Sequence, residues 1–134
     1  MRPRLFLTDR RAVPNATAFV IFQDRVWPII TNTEAIAIDH AWAGSPGTLH
    51  KTLQNGRVEI WAKPLGANGV AIMVLNVGTE NATVAVSLAD DVPGAPTSAT
   101  SYRDVWEHRD ADVGTGGIIS VRLDVHDSLL AVIK

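Results

Sequence analysis

The sequence predicts a mainly β protein, an antiparallel β-sandwich of Greek-key type that follows a short strand and helices. Beyond residue 48, apolar and polar residues alternate in several short runs, as they do in strands with one buried face. Turn-forming clusters separate these runs at regular intervals, a spacing typical of sandwiches. Residues 1–44 have a different sequence pattern, in which helix-compatible runs follow one apolar strand.

The β region is predicted to cover residues 48–134. Residues 58–63 alternate in polarity, and residues 70–75 are apolar throughout, which favours a central strand covered on both sides. The Gly-Ala-Asn-Gly segment at 66–69 predicts a hairpin between these two strands. Further strands are predicted at 83–88, 119–125 and 129–133, with turns at 76–81, 90–96 and 113–117.

The region before residue 48 is predicted to contain one strand and two helices. Residues 5–7 form the apolar strand, and a helix-compatible run over residues 16–27 ends at Pro28, which removes a backbone donor. Thr31 and Glu34 have the spacing of a capping box, which predicts a second helix. The Gly-Ser-Pro-Gly segment at 44–47 then marks the boundary between two predicted units, 1–47 and 48–134.

Composition excludes several functional classes. The 134 residues suit one ordinary domain. The net charge of -2, without a dense Lys/Arg run, argues against binding to nucleic acid or to an anionic membrane. The absence of cysteine excludes disulfides, thiol catalysis and thiolate metal sites. No apolar run is long enough to span a bilayer, and the compartment stays open.

The ionisable residues indicate neither a metal site nor a cofactor site. The histidines at 40, 50, 108 and 126 lack metal-ligand spacing, so a solvated or structural role is favoured for each. Asp90 and Asp91 form one acidic pair. A second acidic group, at 104, 107, 110 and 112, is interleaved with Arg103, His108 and Arg109, which favours an ion-pair cluster over a calcium loop.

The four tryptophans, at 27, 42, 61 and 106, are the candidate ligand-binding residues, because sugars stack on exposed indole faces. Trp61 lies on the strand face opposite Val58 and Ile60, which leaves it open to solvent exposure. Large aromatic side chains nevertheless mostly fill cores and interfaces, so packing is the favoured role for each tryptophan. Trp61 and Trp106 remain the candidates for carbohydrate contact.

Three blocks resemble one family, the melibiase-type α-galactosidases. Residues 30–39 (ITNTEAIAID) resemble the segment that ends their catalytic barrel. Residues 58–65 (VEIWAKPL) and 70–76 (VAIMVLN) resemble the hairpin that opens their C-terminal β-domain. Residues 102–110 (YRDVWEHRD) resemble a later block of that domain, and the blocks occur in the family's order.

The resemblance implies a truncated (β/α)8 barrel followed by a C-terminal antiparallel β-sandwich. Residues 5–11 resemble the eighth barrel strand and the loop after it, so Asp9 becomes a candidate for contact with a sugar. The family cleaves terminal α-galactosides with retention through two aspartates, in K-Y-D and D-P-D-M-L contexts. Neither string occurs in this sequence. We therefore assign no catalytic residue and expect the chain alone to be inactive.

Three functions remain open on this basis. The first is a non-catalytic β-domain of an α-galactosidase-like hydrolase, active in carbohydrate metabolism. The second is a stand-alone carbohydrate-binding module, and the third is a subunit that completes a barrel supplied by another chain. The expected partners are a carbohydrate and the missing barrel, or further copies bound through residues 1–44.

Overall fold

The computed structural model describes residues 26–134, which form two antiparallel sheets and several short helices. The strand predicted at 5–7, Asp9 and the helix predicted to begin at residue 16 lie outside the described residues, except for the end of that helix. The helices are α1 (Trp27–Ile30), α2 (Thr33–His40), α3 (Leu88–Asp91) and a 3-10 turn (Gly66–Asn68). The strands are β1 (Thr48–Leu53), β2 (Val58–Pro64), β3 (Val70–Asn76), β4 (Ala82–Ser87), β5 (Ser101–Asp104), β6 (Arg109–Asp112), β7 (Ile118–Leu123) and β8 (Ser128–Ile133).

The larger sheet has six strands in the order β1-β2-β3-β8-β5-β6, and the smaller sheet pairs β4 with β7. Every strand pairing is antiparallel, so the predicted mainly β antiparallel sandwich is confirmed. The chain passes between the sheets before and after both β4 and β7. The edge strand β6 is rich in charge and β1 carries a register shift near Lys51, two features that discourage pairing with other chains.

The core lies between the two sheets and consists of aliphatic side chains. Ile60, Val74 and Leu129 stand opposite one another in β2, β3 and β8. Val84 and Val121 form a corresponding pair in the smaller sheet. All five side chains are buried. Burying each side chain of this kind contributes roughly 1.5–3 kcal/mol, so this layer is the main source of the stability of the sandwich.

One buried polar side chain joins the ends of several strands. The Asn76 amide donates to the carbonyl oxygens of Glu80 (2.8 Å), Asp124 (3.1 Å) and Leu123 (3.3 Å). Its own carbonyl oxygen accepts from the Gly78 N–H at 3.0 Å. Asn76 therefore ties the β3–β4 turn to the end of β7, since a buried amide must satisfy its donors and its acceptor.

Four local predictions need correction. The strand predicted at 119–125 ends at Leu123, because a turn follows in which His126 has a φ of +60°. The capping box at Thr31 and Glu34 is wrong, because Asn32 is the N-cap and accepts from the Ala35 N–H. The strand predicted at 83–88 ends at Ser87, because Ser87 caps α3 and Leu88 begins that helix. The strand over 70–75 is central, but its outer side is only partly covered, at Met73 and Leu75. The predicted hairpin at 66–69 and the three predicted turns are confirmed.

Candidate functional site

The six-stranded sheet has an outer face that points away from β4 and β7. This face carries aromatic, sulfur-containing and basic side chains as well as aliphatic ones. Trp61, Met73 and Leu130 form one cross-strand row on this face. The neighbouring row contains Lys63, which is aligned with Val132 and Arg103 across β3, β8 and β5. The alternation of side chains along each strand places these residues opposite the aliphatic core.

Helix α2 lies against the outer face and is held there by hydrogen bonds from three directions. The Asn32 amide donates to the carbonyl oxygen of Val105 at 3.0 Å. The Lys63 ammonium donates to the carbonyl oxygens of Ile38 (2.7 Å) and Asp39 (2.8 Å) near the end of the helix. Because a helix leaves its last carbonyl groups without partners, Lys63 both caps α2 and fixes it on the sheet.

The third attachment of α2 is an ion-pair cluster centred on Arg103. The guanidinium makes two hydrogen bonds to the Glu34 carboxylate, at 2.7 and 3.1 Å, and approaches Asp110 at 3.5 Å. His108 lies 3.4 Å from Glu34. The Arg103 hydrogen bonds hold the pKa of Glu34 below its ordinary value, although burial opposes them, and His108 adds to the lowering. Within the predicted ion-pair cluster the structure bears out the contact of Arg103 with Asp110, while the shorter pair of Arg103 is with Glu34 of α2, which the prediction did not include.

A groove of about 580 Å³ separates the end of α2 and the loop at 41–47 from the outer face. Its apolar lining includes Trp42 of the loop together with Trp61, Met73, Trp106 and Leu130 of the sheet side. Its polar lining includes Asp39, His40 and Lys63. The predicted carbohydrate-contact residues Trp61 and Trp106 thus line the same groove, while Asp9 lies outside the described residues.

None of the four tryptophans belongs to the buried core, and packing at an interface stays a prediction for them. Trp27, Trp42 and Trp61 are 50%, 72% and 38% exposed, and Trp106 is partly buried. The cause is the strand alternation, which turns Trp61 outward, and a core that aliphatic side chains fill completely. The sequence pattern signalled this outcome for Trp61. No pattern signalled it for Trp42, which lies in a loop.

A second acidic site has a structural role. Asp91 is buried and binds the Lys51 ammonium at 2.6 Å and the Ser87 N–H at 2.9 Å. Burial raises the pKa of Asp91, but the two hydrogen bonds outweigh burial and lower the pKa overall. Because β1 belongs to the larger sheet and α3 follows a strand of the smaller sheet, this pair connects the two layers.

Neither a metal centre nor a bilayer span is found between residues 26 and 134. Within that range, no three histidine or acidic side chains are grouped closely enough to hold a metal ion. All four histidines lie at the surface, which confirms the solvated role predicted for them. None of the helices in this part of the chain is long and apolar enough to cross a bilayer.

Comparison with known families identifies the sandwich. Residues 55–133 match the profile of the family described as the alpha galactosidase C-terminal beta sandwich domain. The chain belongs to this family. It is 33% identical to an alpha-galactosidase of Coffea arabica over 132 residues, which cover 98% of the chain and 31% of that relative. The chain thus spans about a third of that relative's length.

Solved structures show the same fold at lower identity. Alpha-galactosidase I of Mortierella vinacea superposes with a TM-score of 0.65 at 21% identity, over 89% of this chain and 28% of that one. A GH27 β-L-arabinopyranosidase of Geobacillus stearothermophilus gives 0.66 at 18% identity, over 83% of this chain and 24% of that one. The shared sandwich therefore occurs in enzymes named for two different sugars, so the fold alone does not define the sugar.

Proposed function

We propose that the chain is the non-catalytic C-terminal part of an α-galactosidase-type glycoside hydrolase that acts on terminal α-galactosides. In this proposal residues 48–134 form the β-domain, and residues 1–47 form the end of the catalytic barrel. The observation that carries the proposal is the attachment of α2 to the outer face through Asn32, Glu34 and the two outer-face cations Lys63 and Arg103.

The attachment supports a mechanical role for the sandwich. Residues 30–39 resemble the segment that ends the family's barrel, and α2 lies within that segment. The bidentate Arg103–Glu34 pair fixes orientation as well as distance, since a planar guanidinium matches a carboxylate only in a narrow set of geometries. The sandwich would therefore hold the last barrel helix in one position.

An exposed apolar surface supports a further domain as the partner. Trp27, Ile30 and Ile36 of α1 and α2 are 50%, 48% and 41% exposed. Burying large side chains of this kind contributes up to about 1.5–3 kcal/mol each. We assign this surface to contact with the rest of the barrel, because the residues lie in or beside the segment that resembles its end.

The first test is catalysis by the purified chain. Retaining hydrolysis needs two carboxyl groups about 5–5.5 Å apart, one as nucleophile and one as acid/base. The motifs that carry both groups in the family do not occur in this sequence. We expect no turnover of a nitrophenyl α-galactoside above the background rate, with the Coffea arabica enzyme as the positive control. Turnover that disappears when an aspartate of this chain is changed would refute the proposal.

The second test supplies the missing part. The matching C-terminal third of the Coffea arabica enzyme is replaced by this chain, and the hybrid is assayed for the same hydrolysis. We expect activity in the hybrid, and a loss of thermal stability when Arg103→Ala is introduced, because α2 then loses its ion pair. A folded hybrid without activity would count against the proposal. Activity restored by simply mixing the chain with a separate barrel would instead favour the barrel-completing subunit.

A further inference from the structure

We infer that the groove between α2, the 41–47 loop and the outer face binds a pyranoside sugar, with Trp42 and Trp61 as its stacking surfaces. The inference goes beyond the proposed function and does not depend on it, since it concerns residues that contribute nothing to bond cleavage. It makes the sandwich a carbohydrate-binding surface as well as a support for α2.

Two of the three indole groups that line the groove, those of Trp61 and Trp106, are held by hydrogen bonds within the protein. The Trp61 Nε1–H donates to the Glu59 carboxylate at 2.9 Å, two residues away on the same strand face. The Trp106 Nε1–H donates to the Ser128 hydroxyl at 3.2 Å. Each indole therefore uses its donor within the protein. What Trp61 offers to a ligand is its ring surface, with little rotamer freedom left to lose on binding.

The polar groups of the groove suit the hydroxyl edge of a sugar. Lys63 lines the groove and uses two of its three N–H donors on the carbonyl oxygens of α2, which leaves one donor of the ammonium group. Asp39 and His40 line the same groove.

The combination favours a sugar over an apolar protein segment. A pyranose has an apolar C–H face for the ring surfaces of Trp42 and Trp61 and a polar edge for Lys63 and Asp39. An apolar helix or strand would leave those charged groups desolvated, which is unfavourable. The volume of about 580 Å³ lies within the range of small-molecule sites.

The test is calorimetric titration of the intact chain with melibiose and with methyl α-galactopyranoside, and with maltose as a glucoside comparison. We expect saturable binding in the millimolar range to at least one of these sugars. Trp61→Ala and Trp42→Ala should each weaken binding about tenfold. Trp27→Ala is the matched control, because Trp27 is also exposed but does not line the groove, and it should leave the affinity unchanged.

Two further measurements distinguish loss of sugar binding from loss of the fold. Thermal melting identifies any variant that has lost its fold, and Trp61→Phe should retain much of the binding because it keeps an aromatic ring. If Trp61→Ala does not fold, Trp42→Ala decides the matter, since Trp42 lies in a loop and is 72% exposed. Absence of saturable binding by the folded chain to all three sugars would overturn the inference. So would binding that neither tryptophan substitution weakens.

Discussion

Gly69 shows how much depends on single residues in this sandwich. It ends the hairpin connection between β2 and β3 and has a φ of +89° and a ψ of −139°, a conformation that side-chain-bearing residues avoid. A Cβ at this position would lie 1.9 Å from the carbonyl oxygen of Ile133. The missing side chain thus lets the start of β3 approach the end of β8, where Val70 pairs with Ile133.

We predict that Gly69→Ala is strongly destabilising, by about 3 kcal/mol or more, because backbone strain and a steric clash with another strand add together. Gly56→Ala is the matched control. Its φ is also positive, at +82°, but a Cβ there would meet nothing within 4 Å, so a cost of about 1 kcal/mol is expected. Urea denaturation of both variants measures the difference. Equal losses of unfolding free energy in the two variants would show that the close approach to Ile133 does not add to the destabilisation.

At the scale of elements, α2 depends on its attachments more than on its own sequence. It has eight residues and buries none of them, so it would not be stable alone. The Arg103–Glu34 pair is partly exposed and contributes little by itself, because solvent screens it. The position of α2 therefore rests on several modest contacts acting together, which makes this element the first to respond to acid.

We predict that acid releases α2 before the sheets unfold. The pKa of Glu34 is lowered in the folded chain, so its ion pair stabilises the structure at pH values above the ordinary value of 4.5. That contribution is lost as the pH falls below 4.5 and through the lowered pKa. The protection factors of the α2 amides against hydrogen exchange should fall in this window, while those in β3 and β8 stay high.

A substitution identifies the group responsible. Glu34→Gln should lower the protection of the α2 amides at neutral pH and remove most of the further loss of protection in acid. Glu80→Gln, in the exposed turn before β4, is the matched control and should leave the protection of α2 unchanged at both pH values. An acid response of α2 that persists in Glu34→Gln would show that Glu34 is not the group responsible.

At the scale of the whole molecule, the described part of the chain has an apolar side away from its core. Trp27, Ile30 and Ile36 on the helical segment are exposed. Large exposed apolar patches are uncommon on monomers. In the proposed parent enzyme the barrel would cover it. In the isolated chain that cover would have to come from another copy or from refolding onto the sandwich.

We predict that the isolated chain self-associates through residues 1–44. Replacing Ile30 and Ile36 by Gln should lower the association constant, because the contact loses apolar area. Val77→Gln is the control, since Val77 is also exposed but lies on the sandwich. Light scattering over a concentration series, with a chain beginning at Thr48 for comparison, measures the effect. An intact chain that stays monomeric would contradict the prediction, and resistance of its residues 1–44 to protease would then favour refolding onto the sandwich.

The sequence by itself determined the class of the fold and the family. Alternating runs mark β2, β4 and β7, because a strand with one buried face repeats every two residues whatever its partners. The Gly-rich segment at 66–69 marks the hairpin, since only glycine adopts its backbone angles easily. The charged edge strand β6 and the exposed β1 show no such period, and neither strand was individually predicted.

Only the tertiary structure decided which distant residues meet. Glu34 matches a capping box in sequence, but the fold brings Arg103 to it across 69 positions, and a bidentate ion pair replaces the capping contact. Asn32 becomes the cap and also reaches Val105. Likewise, Trp42 and Trp61 share a groove because α2 returns over the outer face. The local sequence pattern indicates which side of an element is buried. It does not indicate what packs against that side, because strand order and long-range contacts determine the packing partner.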